Sequence, residues 1–333
     1  MSITIDPNIV AAPQLADVLP PVRVRGKVGM FVYRYPTIAV GGVLLALMLG
    51  IALFAPYLGT VDPTALAPAR RTRPPPDFVA WFQYYVLSAL DTIPGLTTIV
   101  GDPMKPPSSQ FLFGSDMLGR DIYSRTLYGA RVSLKVGFAV AAVSSIIGML
   151  IGVCAGFIRL LDTIIMRIMD GLMSIPSILL AIALMALIGA SVQNVVIAIS
   201  VSEIPRVARL VRGVVLSLRE QAYVEAAIAS GTKVPKIIFK HILPNTLAPI
   251  IVQATFICAS AMLAEATLSF IGAGTPPTIP SWGNIMAEGR ALWQVKPYIV
   301  FFPAVFLSIT VLAVNLLGDG LRDALDPRLA KRL

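Results

Sequence analysis

Charge is scarce in this chain. Of 333 residues only 14% are Asp, Glu, Lys or Arg, against about a quarter in ordinary soluble domains. With 56% of its residues hydrophobic, the chain has too little polar surface to cover a water-soluble globule and needs a bilayer as its solvent. Histidine is scarcer still. His241 stands alone, which excludes a His-rich metal site and argues against a Ser-His-Asp triad, so neither a catalytic residue nor a metal ligand is assigned. Two cysteines, Cys154 and Cys258, both inside apolar runs, imply no disulfide framework and read as small hydrophobes. No G-x-x-x-x-G-K-[ST] phosphate loop occurs, so the chain itself is not expected to bind ATP. No internal repeat is evident, which weighs against a secondary transporter built from inverted repeats. A multi-span membrane enzyme would need clustered His, Asp or Ser within the bilayer, and that cluster is missing too.

What the chain does have is long apolar runs. The clearest cover residues 37–58, 136–157, 172–192, 247–271 and 298–317, each near the 20 or so residues a span requires. A weaker run, 195–204, extends helically into RVARLVRG at 206–213. Backbone in lipid must satisfy its own hydrogen bonds, so these are helices. The expected fold is all-α and polytopic, with about six transmembrane helices. Lys and Arg set the orientation. The expected inner set is Arg23, Arg25, Lys27 and Arg34, then Arg159, Arg167, Arg206, Arg209, Arg212, Arg219, Lys233, Lys236 and Lys240, then Arg322, Arg328, Lys331 and Arg332. Both termini are therefore expected in the cytoplasm. The acidic, Pro-containing start MSITIDPNIVAAPQLADVLPP reads as a tail rather than a secretory signal. The net charge of +9 is then a topology signal for a lipid membrane. Nucleic acid is not an expected partner, because no basic cluster is interleaved with aromatics.

The expected organisation is a cytoplasmic tail at 1–36, a first transmembrane helix at 37–58 and an extracytoplasmic loop at 59–131. A membrane core at 132–320 follows, with a cytoplasmic loop at 217–245, and then a tail at 321–333. Within the outer loop ALAPARRTRPPPDF is Pro-rich and basic, hence extended. FVAWFQYYVLSAL, 78–90, is too short to span. It suits the membrane interface, where Trp81, Tyr84 and Tyr85 would sit, or a small packed cap helix. Gly148, Gly152 and Gly156 recur every fourth residue and share one helix face. Such a face packs closely, either within the chain or against another subunit. Glu265 stands inside an apolar span, where a charge costs roughly 2.5–3.5 kcal/mol. It lines a polar pathway or makes a structural hydrogen bond to a neighbouring helix.

One wet segment interrupts the greasy runs: VEAAIASGTKVPKIIFKHILPNTLAP, 224–249. Residues 217–229 hold good helix formers and no breaker. Gly231 then stands where a helix end wants positive φ. Thr232 can cap a second short helix, with Pro235 tolerated in its first turn and Pro244 ending it. The result is a helix–turn–helix elbow presenting Ala226, Ala227, Ala229, Ser230 and Gly231. A small-residue knuckle of this kind suits docking into another protein's groove. It carries no chemistry.

Those residues resemble a known signature. Glu225, Ala226 and Ala227, then three residues, Gly231, and further on Leu243 and Pro244, look like the EAA motif of ABC-importer membrane permeases. His241 stands where that pattern usually has Ile, making HILPN, as in the dipeptide/oligopeptide/nickel branch. FGSDMLGRDIYSRTLYGARVSL, RIMDGLMSIPSILLAI, EATLSFIGAGTPPTIPSWGNIM and LGDGLRDALDPRL are similar to that branch's second permease subunit. The departures are the long insertion 65–110 and Pro235. The resemblance implies a type I ABC importer permease fold, a bacterial inner-membrane location and a non-catalytic subunit. It implies partners: a homologous second permease, two ATP-binding cassette subunits that bind the ATP and Mg, and an extracytoplasmic substrate-binding protein. Peptides, nickel chelates, glutathione and opine-like compounds are the substrates it allows.

Overall fold

The computed structural model describes residues 34–60, 62–64 and 112–325. The first part of the N-terminal tail, the insertion 65–110 with its aromatic segment 78–90, and residues 326–333 lie outside the described residues. The order is α1 (Pro36–Phe54), α2 (Ile122–Phe157), α3 (Arg159–Met173), α4 (Ser177–Ile188) and α5 (Val192–Arg219). Then come α6 (Ala222–Ala229), α7 (Val234–Ile237), α8 (Leu243–Ile271), α9 (Trp282–Gly289) and α10 (Tyr298–Leu325). Among the described residues there is no strand, only one bridge between Ser115 and Asp121.

Four stretches are long and apolar enough to cross a bilayer: Pro36–Tyr57, Ile122–Phe157, Val234–Ile271 and Tyr298–Leu325. They contain the expected runs 136–157, 247–271 and 298–317, and all but the last residue of 37–58. The expected run 172–192 is not a straight span. It is divided between α3 and α4, which meet at 91°. Pro176 gives no N–H and disfavours helix at the residue before it, so α3 stops and α4 restarts beyond it. Counting that bent pair as one span makes five. The weak run 195–204 belongs to α5, 28 residues long and so about 42 Å. That is ample length, but Glu203, Arg206 and Arg209 make it too polar to count by composition. The expected six thus become four or five apolar spans plus one long charged helix.

Several expected boundaries also move. Asp121 caps α2, accepting the backbone N–H groups of Tyr123 at 3.3 Å and Ser124 at 2.9 Å. The end of the expected outer loop and the second span are therefore one helix of 36 residues, and residue 132 falls inside it. α10 likewise runs to Leu325, past the expected tail boundary at 321.

Small residues set the packing. A Cβ added at Gly148 would come within 2.5 Å of Val207 Cβ, at Gly152 within 2.7 Å of Val211 Cβ, and at Gly156 within 2.7 Å of Val215 Cγ1. Two rows with the same four-residue repeat interlock along α2 and α5, so the glycine stripe packs within the chain. In lipid this close van der Waals approach is what holds helices together. Two ion pairs tie α3 to α5: Arg209 to Asp170, and Arg212 to Asp162.

Candidate functional site: an exposed elbow and a buried polar end

Arg219, the last residue of α5, donates to the Gly156 carbonyl at 2.8 Å and lies over the Phe157 ring. The elbow therefore hangs at the C-terminal end of α2. Glu220 and Gln221 turn the chain before α6 begins at Ala222, so the single helix expected over 217–229 is in two pieces. Local propensity favours continuation, but the turn puts Val224 wholly into the core, and burial outweighs propensity.

Gly231 has φ +71°, as the sequence requires. Its N–H bonds the Ile228 carbonyl at 2.9 Å, and the Thr232 N–H bonds the Ala227 carbonyl at 3.0 Å. That pair of bonds is a Schellman cap. A Cβ at Gly231 would meet open space within the chain, so its requirement is one of backbone conformation. Lys233, not Thr232, is the N-cap of α7, with Pro235 in the first turn. Pro244 does not end the second helix. A π-helical turn at Ile238–Ile242 leads straight into α8, where Pro244 sits in the first turn. The wider turn absorbs a residue that has no N–H and would crowd the carbonyl four residues back in a regular helix.

Val224, Ile237 and Ile242 are buried and anchor the elbow. Glu225, Ala226, Gly231 and Pro244 are exposed, whereas Ala227 and Leu243 are half-buried. Ala227 packs against the core, so it is a weaker docking probe than Ala226. Sequence reasoning missed the apolar surface around this knuckle: Tyr223, Ile228, Val234 and Phe239 are all exposed, Phe239 by 71%. No periodicity separates them, because Ile228 lies four residues after Val224, Val234 three before Ile237 and Phe239 three before Ile242. Only the tertiary packing leaves them exposed.

The other end of α2 has the opposite character. Arg125, 1% exposed, pairs with Asp116 and makes a forked contact with Glu288 at 2.5 and 3.0 Å. Arg120 joins Asp116 at 2.6 Å and Glu288 at 2.5 Å. Two cations and two carboxylates thus lock the loop before α2 onto α9. Beside them, burial pushes the Asp121 carboxyl above the usual range, against the lowering effect of its bonds from Ser124. Trp282, wholly buried, adds a bond from its indole N–H to the Thr126 carbonyl at 2.9 Å. None of these four charges was singled out from the sequence.

Glu265 belongs to the same end and is wholly buried. Its carboxyl accepts from Ser269 at 2.8 Å, from Thr275 at 3.4 Å and from Ser133 at 3.4 Å. Thr275 Oγ1 also lies 3.2 Å from Ser281 Oγ and accepts from Asn284 Nδ2 at 2.9 Å. Asn284 reaches the carbonyls of Pro276 and Ile279 as well, at 2.9 and 3.0 Å. Glu265 therefore ties α8 to α2 and to the loop between α8 and α9. Of the two readings open from the sequence, these contacts match the structural hydrogen bond.

The described residues form an all-α bundle of membrane length, locked at one end and carrying a capped, partly apolar elbow at the other. Comparisons with known proteins place it in a family. Residues 144–331 match the family described as "Binding-protein-dependent transport system inner membrane component". A probable peptide ABC transporter permease of Sinorhizobium fredii is 51% identical over 237 residues, covering 70% of this chain and 81% of that protein. A di/tripeptide transport system permease of Pseudomonas aeruginosa is 37% identical over 293 residues, covering 87% and 88%. A glutathione transport system permease of Pectobacterium atrosepticum is 45% identical over 224 residues, covering 67% and 74%. In fold, a chain of the inward-facing MetNI methionine ABC transporter superposes with a TM-score of 0.52 at 20% identity, covering 62% of this chain and 98% of that one. The chain belongs to the binding-protein-dependent transport system inner membrane component family. It is a multi-pass inner-membrane permease subunit of an ABC importer with the type I importer fold.

Proposed function

We propose that this permease forms half of a translocation pathway for peptides or a related small solute and is driven through its elbow by a separate ATPase subunit. The observation that carries this is the elbow's surface. Glu225, Ala226 and Gly231 are exposed together with the apolar Tyr223, Ile228, Val234 and Phe239 of the same elbow, and a Schellman cap holds its turn. Exposed apolar surface on a rigid mount is what a docking partner dehydrates. A homologous second permease, two ATP-binding cassette subunits and an extracytoplasmic binding protein complete the importer. ATP and Mg²⁺ belong to the cassette subunits. The elbow and both termini face the cytoplasm, following the Lys and Arg distribution, and the segment 59–131 faces outward. Transport is alternating access, biased by hydrolysis in the partner. Peptide is the favoured substrate because relatives at 51% and 37% identity are named for peptides. Glutathione, nickel chelates and opines are the sister alternatives.

The test uses the importer reconstituted in vesicles. Gly231→Glu and Ala226→Asp are expected to insert and assemble with the second permease, yet to lose ATPase docking. Solute uptake and the stimulation of ATP hydrolysis by loaded binding protein are then lost together. Normal uptake by both variants would overturn the coupling role.

A further inference from the structure

At the end of the bundle away from the elbow, α1 and α2 leave a surface cavity of about 340 Å³ between them. Leu49, Ala52 and Leu53 line it from α1, and Arg131, Lys135 and Phe138 from α2. The lining holds two cations and no acid. Arg131 uses Nε and Nη2 on the carbonyls of Ala52 and Leu53, which lie in the last turn of α1 and lack intrahelical partners. It also sits over the Tyr128 ring at 5.2 Å. Its Nη1 makes no hydrogen bond among the described residues. Lys135, one turn further along α2, is exposed and pairs with no acid among the described residues.

The order of groups along the groove is informative. Arg131 and Lys135 stand immediately before the apolar run 136–157, at the edge of the bilayer core. Leu49 and Phe138, 42% and 44% exposed, lie deeper in the span. A cationic mouth at the membrane boundary above an apolar channel matches a phospholipid, phosphate outward and acyl chain inward. We propose that this groove seats one anionic phospholipid, its phosphate between Arg131 and Lys135 and an acyl chain against Leu49 and Phe138. The two uncompensated cations favour a negatively charged headgroup over a zwitterionic one. Nothing in this depends on which solute is transported or on how the elbow docks.

Native mass spectrometry of the detergent-purified importer tests it, with phosphatidylglycerol and phosphatidylethanolamine added at equal concentration. The native chain should retain phosphatidylglycerol preferentially. Lys135→Gln should cut that preference about fivefold, Lys135→Arg should keep it, and phosphatidylethanolamine should bind all three alike. Lys135 is exposed, so the variants are not expected to disturb the fold. Equal retention of both lipids by the native chain overturns the proposal, as does an undiminished preference in Lys135→Gln. Displacement of phosphatidylglycerol by chain-free glycerol phosphate at equal concentration also overturns it, since the anion alone would then be the ligand.

Discussion

At the elbow, Ile228, Val234 and Phe239 face outward, whereas at the far end of α2 Arg125, Asp116 and Glu265 face inward. Each arrangement inverts the usual rule that apolar groups hide and charges show. At the polar end every one of those inward charges has a partner: Arg125 two carboxylates, Asp116 two guanidinium groups, Glu265 three hydroxyls. Arg125 Nε is buried without a partner, but the paired groups around it hold one geometry and resist any other. At the elbow three buried anchors fix the backbone, while four large apolar side chains stay exposed. The difference separates a region whose polar groups are spent on one another from one whose apolar surface is left exposed, as the proposed docking requires.

That contrast can be broken experimentally, most severely at Arg125. Arg125→Met leaves Asp116 and Glu288 with only Arg120 for compensation, and removing one member of a buried ionic cluster costs about 3–5 kcal/mol. Thermal unfolding of the purified complex should show the loss, and an unchanged midpoint would mean the polar end is not locked. Glu265→Gln should cost less, about 1–3 kcal/mol, because the hydroxyl cage keeps one acceptor but must reorganise. Uptake and stability should fall together. Uptake lost at unchanged stability would instead make Glu265 a pathway residue.

A smaller and more local effect is expected at Gly231. Gly231→Ala forces a side chain into left-handed φ at about 1–2 kcal/mol, without the added charge and bulk of glutamate. Hydrogen exchange should quicken across α6 and α7 while amides at the start of α2 keep their protection. Quickening at both ends would deny that the two regions are independent. Lys240 is exposed on the elbow's π turn, and Lys240→Ala should change stability by less than about 0.5 kcal/mol and leave uptake intact. A large loss there would extend the docking surface onto the basic side of the elbow.

Much of this molecule could be read along the chain. Apolarity and run length determined that it is a helical membrane protein, because a backbone in lipid has few ways to satisfy its own hydrogen bonds. The spacing in Glu225, Ala226, Ala227 and Gly231 located the elbow, and the demand for positive φ at Gly231 followed from local chemistry. Those properties are set within a few residues. The 91° break before α4, the turn that splits the elbow at Gln221 and the continuation through Pro244 were decided by packing, which overrides propensity and accommodates proline. The glycine stripe allowed either an internal or an external partner, and only Val207, Val211 and Val215 resolved it. Arg125 and Glu288 lie 163 residues apart, and no local pattern joins them. Their pairing arises because α2 and α9 are brought side by side, where burial makes an unpaired charge costly. The same proximity turned Glu265 from an isolated charge in an apolar helix into the centre of a hydrogen-bonded cage.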